Sequence, residues 1–125
     1  MPVSYSISHA HRLVVASGQG EISVTEVQQA LMAIVKENAV PYGKLLDMTY
    51  APLAMRSANI RLFAERVNEF NRGKTVGPLA VVAPSELARE MITLFDSLVE
   101  TERPMKIFTS QADARAWLAS LGYGP

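Results

Sequence analysis

The sequence predicts a single α/β domain: a five-stranded, mostly parallel mixed sheet flanked by about four helices. Three observations predict it. Apolar residues alternate with small polar ones at the start, and short apolar runs then trade places with stretches whose apolar residues recur at helical spacing. Serines stand at three helix starts, Ser23, Ser85 and Ser110. Connections are short, with no low-complexity linker and no repeat, so residues 1–125 read as one domain. Strand–helix alternation demands crossover connections, and right-handed crossovers build a largely parallel sheet with helices against it.

Each element has its own warrant. Val3, Tyr5 and Ile7 alternate with Ser4, Ser6 and Ser8, which reads as a half-exposed strand near a sheet edge. His9-Ala10-His11 is the turn into a second strand from Arg12 to Ala16, extendable to Gly20, and so short a turn pairs the two antiparallel. Ser23-Val24-Thr25-Glu26 is a capping box, and Val27, Ala30, Leu31, Ile34 and Val35 follow as one buried stripe. Asn38 to Gly43, with Pro41, ends that helix and leads into the strand Lys44 to Tyr50. A second helix runs from about Ala54 to Arg72 with Ile60, Phe63, Ala64, Val67 and Phe70 inward, and Gly73 is its left-handed stop. Pro78 to Pro84 is almost continuously apolar, as a strand covered on both faces should be. Ser85 caps a third helix with Leu87, Met91, Leu94, Phe95 and Leu98 as its stripe. Met105 to Thr109 is the last strand. Ser110 and Asp113 form a second capping box, opening a helix with Ala114, Trp117, Leu118 and Leu121 inward. The order is β-β-α-β-α-β-α-β-α, and the pattern leaves the order of strands in the sheet open.

Composition narrows the function. Of 125 residues, 49% are hydrophobic and 19% charged, the balance of an ordinary globular protein. Twelve basic and twelve acidic side chains cancel, where a nucleic-acid binder shows a basic excess. Without cysteine there is no disulfide, redox dithiol or thiolate metal site. The start lacks the basic and apolar regions of a secretory signal, and no apolar run approaches the ~18 residues of a membrane span, so a cytoplasmic protein is expected.

The element order, the Leu45-Leu46-Asp47 strand, the Ala80-Val81-Val82-Ala83-Pro84 strand and the closing Ile107-Phe108-Thr109 to Ala114-Arg115-Ala116-Trp117-Leu118 resemble SpoIIAA-like proteins. These belong to the STAS fold (sulphate transporter and anti-sigma factor antagonist), whose relatives include lipid-exchange domains of the CRAL-TRIO type. The resemblance covers about Tyr5 to Leu118 and rests on buried patterns, so it speaks to fold far more than to function. Anti-sigma antagonists carry an Asp-Ser-Ser/Thr-Gly element where the helix after the central strand begins, and a kinase phosphorylates a serine there. The matching stretch is Met55-Arg56-Ser57-Ala58, in which Ser57 takes the phosphorylated position. The preceding acid and following glycine of that element are absent, and Arg56 puts a cation beside the hydroxyl. A helix start nonetheless favours added negative charge.

Candidate site residues gather at the end of the Lys44–Tyr50 strand, where ligands and partners dock on sheets of this kind. Asp47 reads either as an anchor for a ligand or partner loop, or as a strand-end carboxylate that bonds nearby amides. Thr49 and Tyr50 read as ligand contacts or as a capping hydroxyl and a packed aromatic. Leu53 and Met55 make the segment Ala51 to Met55 apolar where an exposed loop should be polar, either as packing or as a binding surface. Arg56, Arg61, Arg66, Arg72 and Lys74 place cations along one helix, interrupted by Glu65 and Glu69, as a solvated face does. Met55, Met91, Phe63, Phe95 and Trp117 fit a core, and such side chains also line apolar pockets. His9 and His11 have no obvious third ligand for a metal. Gly18-Gln19-Gly20 has no third glycine for a dinucleotide fingerprint, and Arg72-Gly73-Lys74 lacks the spaced glycines of a phosphate loop. No Gly-x-Ser-x-Gly or cysteine supplies a nucleophile.

Two readings follow. The first is a non-enzymatic regulatory or interaction module, without cofactor or metal. It binds a protein partner, or a second copy of itself as a homodimer, through the loop and helix after the central strand, with phosphorylation at Ser57. The second is a carrier or sensor of an apolar or amphipathic small ligand with peripheral membrane contact.

Overall fold

The computed structural model of the chain describes residues 3–20, 22–50 and 57–125. Its elements are β1 (Val3–Ser8), β2 (Leu13–Gln19), α1 (Val24–Lys36), β3 (Gly43–Tyr50), α2 (Ser57–Asn71), β4 (Leu79–Val82), α3 (Glu86–Leu98), β5 (Met105–Phe108) and α4 (Gln111–Ser120). This is the element order that the alternation predicts. The expected start of α2, Ala54 to Arg56, lies outside the described residues.

The five strands lie in chain order, β1-β2-β3-β4-β5. β1 is antiparallel to β2, with Val3 opposite Gly18 and Ser8 opposite Leu13, and the remaining pairs are parallel. Each crossover from β2 onward therefore steps one strand in the same direction. Right-handed crossovers of one direction put their helices on one face of the sheet. On that face Leu46 and Met48 of β3 and Val81 of β4 cluster with Val27 of α1 and with Ala88 and Ile92 of α3. The alternate residues Leu45, Ala80 and Val82 pack on Ala114 and Leu118 of α4 on the other face. Because α4 lies against β3, β4 and β5, it leaves the outer face of β1 uncovered. There Ser4 and Ser6 are exposed, which explains the serine side of the alternation.

Local chemistry sets the helix ends. Ser23 accepts from the Glu26 amide at 3.2 Å while Glu26 accepts from the Ser23 amide at 3.2 Å, so the capping box is complete. Ser85 caps α3 through the Ala88 amide at 3.1 Å, and Ser110 caps α4 through that of Asp113 at 3.2 Å. The Asp113 side chain, one methylene shorter than glutamate, makes no return bond among the described residues. Asn38, at φ 57°, closes α1: its amide bonds Val35 O and that of Ala39 bonds Ile34 O. Gly73 has the left-handed φ of 75° expected of it after α2.

Two helices differ from the expected stripes. α3 buries Ala88 and Ile92 and leaves Leu87 42% exposed. The small Ala88 lets the helix axis approach the sheet, and that close contact decides which side faces in. Leu121 follows the last turn of α4 as its C-cap and is exposed, while Ala114 and Leu118 hold the core contact.

Candidate functional site

Between the three-helix face and the sheet the packing leaves a cavity of about 190 Å³. Val14 and Ala16 of β2, Leu46 and Met48 of β3, and Ala30 and Ile34 of α1 form much of its wall. Phe63 of α2 and Phe95 of α3 close it from above. The space has a local cause: Ala16 and Ala30 put small side chains where larger ones would interdigitate. The lining is almost wholly apolar, and a dry apolar cavity of ~150 Å³ suffices for benzene, so this one accommodates roughly eight carbon atoms.

The charged residues of the lining gather at one end, where the parallel strands begin. Lys44 shares its strand face with Leu46 and Met48 and reaches the cavity beside Asn71 and Arg103. Its ammonium donates to Val40 O and, at 3.0 Å, to Tyr42 O. Burial and, secondarily, the Arg103 charge lower the Lys44 pKa from 10.5 to about 8. Arg103, its side chain 6% exposed, donates to the Asp96 carboxylate at 2.8 Å. Asn71 is itself buried.

At the opposite, carboxyl edge Asp47 accepts from the Thr49 amide at 2.9 Å and from the Thr49 hydroxyl, and its second oxygen accepts from Gln111 Nε2 at 3.1 Å. These bonds tie the end of β3 to the start of α4. Alternation along β3 places Asp47 on the α4 face with Leu45, on the other side of the sheet from the cavity. Tyr50 is 70% exposed. Leu53, Met55 and Arg56 lie outside the described residues, and Ser57 is described only as the first residue of α2.

A family model described as SpoIIAA-like matches residues 13–119. The chain belongs to the SpoIIAA-like family. Its fold is accordingly that of a STAS-type module. Among solved structures, that of an uncharacterised Shewanella loihica protein with a SpoIIAA-like fold superposes on this SpoIIAA-like chain with a TM-score of 0.61. The two are 16% identical and the match covers 93% of each chain, a likeness of fold. No curated protein matches the sequence.

In this SpoIIAA-like chain the predicted site residues do not converge. Asp47 and Thr49 meet each other and Gln111, Tyr50 faces solvent, and Phe63 and Phe95 belong to the cavity. His9 sits exposed on the hairpin turn, its Nδ1 2.7 Å from the Tyr42 hydroxyl and its Nε2 3.2 Å from Glu37. Among the described residues no three His, Asp or Glu side chains are placed to hold a metal, and no helix is long and apolar enough to cross a membrane. Along the cationic face of α2, Arg66 pairs with Glu69 at 3.3 Å, one turn on. Sequence reading missed Lys44, Asn71 and Arg103. Lys44 alone left a signal: the alternation of β3 puts it on the same face as Leu46 and Met48, a buried face. Arg103, in the lead-in to β5, left none.

Proposed function

We propose that this protein is a non-enzymatic binding module that carries or senses a small apolar or amphipathic molecule in the cavity beneath α1, α2 and α3. One observation supports this reading over the others: a space of about 190 Å³, apolar along most of its wall and partly open to the surface, between the helices and the sheet of a small domain. Interiors close-pack by default, and an apolar space of about this size takes up a small apolar ligand. The family membership agrees with a binding role and supplies no ligand. Titration with 1-octanol, followed by thermal unfolding, tests the reading. Saturable stabilisation is expected, and it should vanish in Ala30→Phe, whose ring occupies the space. A wild-type protein indifferent both to octanol and to octanoate overturns it.

A second reading keeps the carboxyl edge as a protein-binding surface, with Ser57 as its phosphorylation site. The observation in its favour is Tyr50, 70% exposed where β3 leads into residues 51–56. Partner capture from native cells should be lost on substituting Leu53→Asp together with Met55→Asp, and unchanged capture counts against this surface. Intact mass across growth conditions reads the phosphate on Ser57 directly.

A further inference from the structure

The polar end of the cavity carries an imbalance of charge. Two cations, Lys44 and Arg103, line it, and one carboxylate, Asp96, answers them through Arg103. Among the described residues Lys44 has two backbone carbonyls for partners and no carboxylate. The two carbonyls accept from two of its three N–H groups and do not neutralise its charge, and a partly buried ammonium without a counter-ion is costly.

We propose that the Lys44–Arg103 end recognises the carboxylate of a medium-chain monocarboxylic acid, with the acyl tail lying along β3 toward Met48. The inference rests on the reading of the cavity as a ligand site and adds the head group. Among the described residues the one excess positive charge matches a monoanion, and Asp96 beside Arg103 repels a dianion such as a phosphate monoester. Asn71, buried at the same end, contributes an amide to the head-group environment. The tail is set by size: the space takes roughly eight carbons, and from Lys44 to Met48 the strand runs about 13 Å. Inside an apolar wall a carboxylate on two cations makes charge-assisted hydrogen bonds, stronger than those of a neutral hydroxyl.

Calorimetric titration of the full chain at pH 7 with octanoate and with 1-octanol separates head group from tail. Octanoate should bind at least about tenfold more tightly than octanol. Lys44→Met should erase that preference and leave octanol binding within about twofold. Asp96→Asn, which removes the competing carboxylate from Arg103, should strengthen octanoate binding several-fold without changing octanol, and it tests the inference even where Lys44→Met fails to fold. Equal affinity of the wild-type protein for both probes overturns the head-group inference and leaves the cavity reading standing. Binding of neither overturns both. An octanoate preference that survives in Lys44→Met, or that Asp96→Asn weakens, also overturns the proposed head-group site.

Discussion

At neutral pH the Lys44 ammonium is held against two carbonyls with Arg103 nearby, and its pKa falls to about 8 from 10.5. The sign of the consequence is fixed. Between these values the unfolded chain keeps its proton while the folded one gives it up, so stability from this group rises with pH across that window. Below pH 8 the penalty is full, about 3 kcal/mol. Urea unfolding should therefore show the stability of Lys44→Met relative to wild type falling between pH 8 and pH 10.5. A difference constant across that range refutes the shift. A second residue acts through shape. A Cβ on Gly77 would collide with the carbonyl oxygens of Pro41 and Tyr42, which are backbone and cannot swing aside. Gly77 thus lets the approach to β4 press on the same loop whose carbonyls hold Lys44. Gly77→Ala should cost about 3 kcal/mol or more in the same assay. Nothing in the local sequence marks this glycine, because the close approach comes from a loop more than thirty residues away.

Element by element, the chain was readable wherever the cause is local. Ser23 with Glu26, Ser85 and Ser110 announce helix starts because capping needs only residues three apart. The periodicity of α3 was less informative, because several apolar residues at similar spacing define two overlapping stripes. Tertiary contact selected the one through Ala88 and Ile92. Ser23→Ala removes the hydroxyl that bonds both the amide and the carboxylate of Glu26, while the backbone arm of the box stays, and should lower stability by about 1 kcal/mol in urea unfolding. Ser110→Ala, which loses the single hydroxyl bond to the Asp113 amide, should cost less. Strand order was beyond sequence pattern, since alternation constrains handedness but not the direction of each step. The cavity was equally illegible: Ala16 and Ala30 read as ordinary small residues until β2 and α1 face each other.

For the whole molecule, one consequence of consecutive strand order is three helices on one face and one on the other. The crowded face holds the cavity. Ala30→Leu adds three carbons to that space, so it should raise stability by about 1 kcal/mol and weaken octanol binding at least several-fold. Thermal unfolding with and without octanol reads both effects. The thinner face is closed by a latch. Past α4, Tyr123 stacks under Arg12 at 4.8 Å, Arg12 donates to Gly122 O at 3.0 Å, and the Gly124 amide donates to His11 O at 2.9 Å. Arg12 and Gly122 are 110 positions apart, and contacts so distant along a chain are slow to form. During synthesis the β1–β2 turn emerges long before its latch exists. A ribosome-bound chain halted before residue 122 can pair its first two strands and still lack the clasp on their turn, so proteases should cut that turn in the nascent chain and spare it after release.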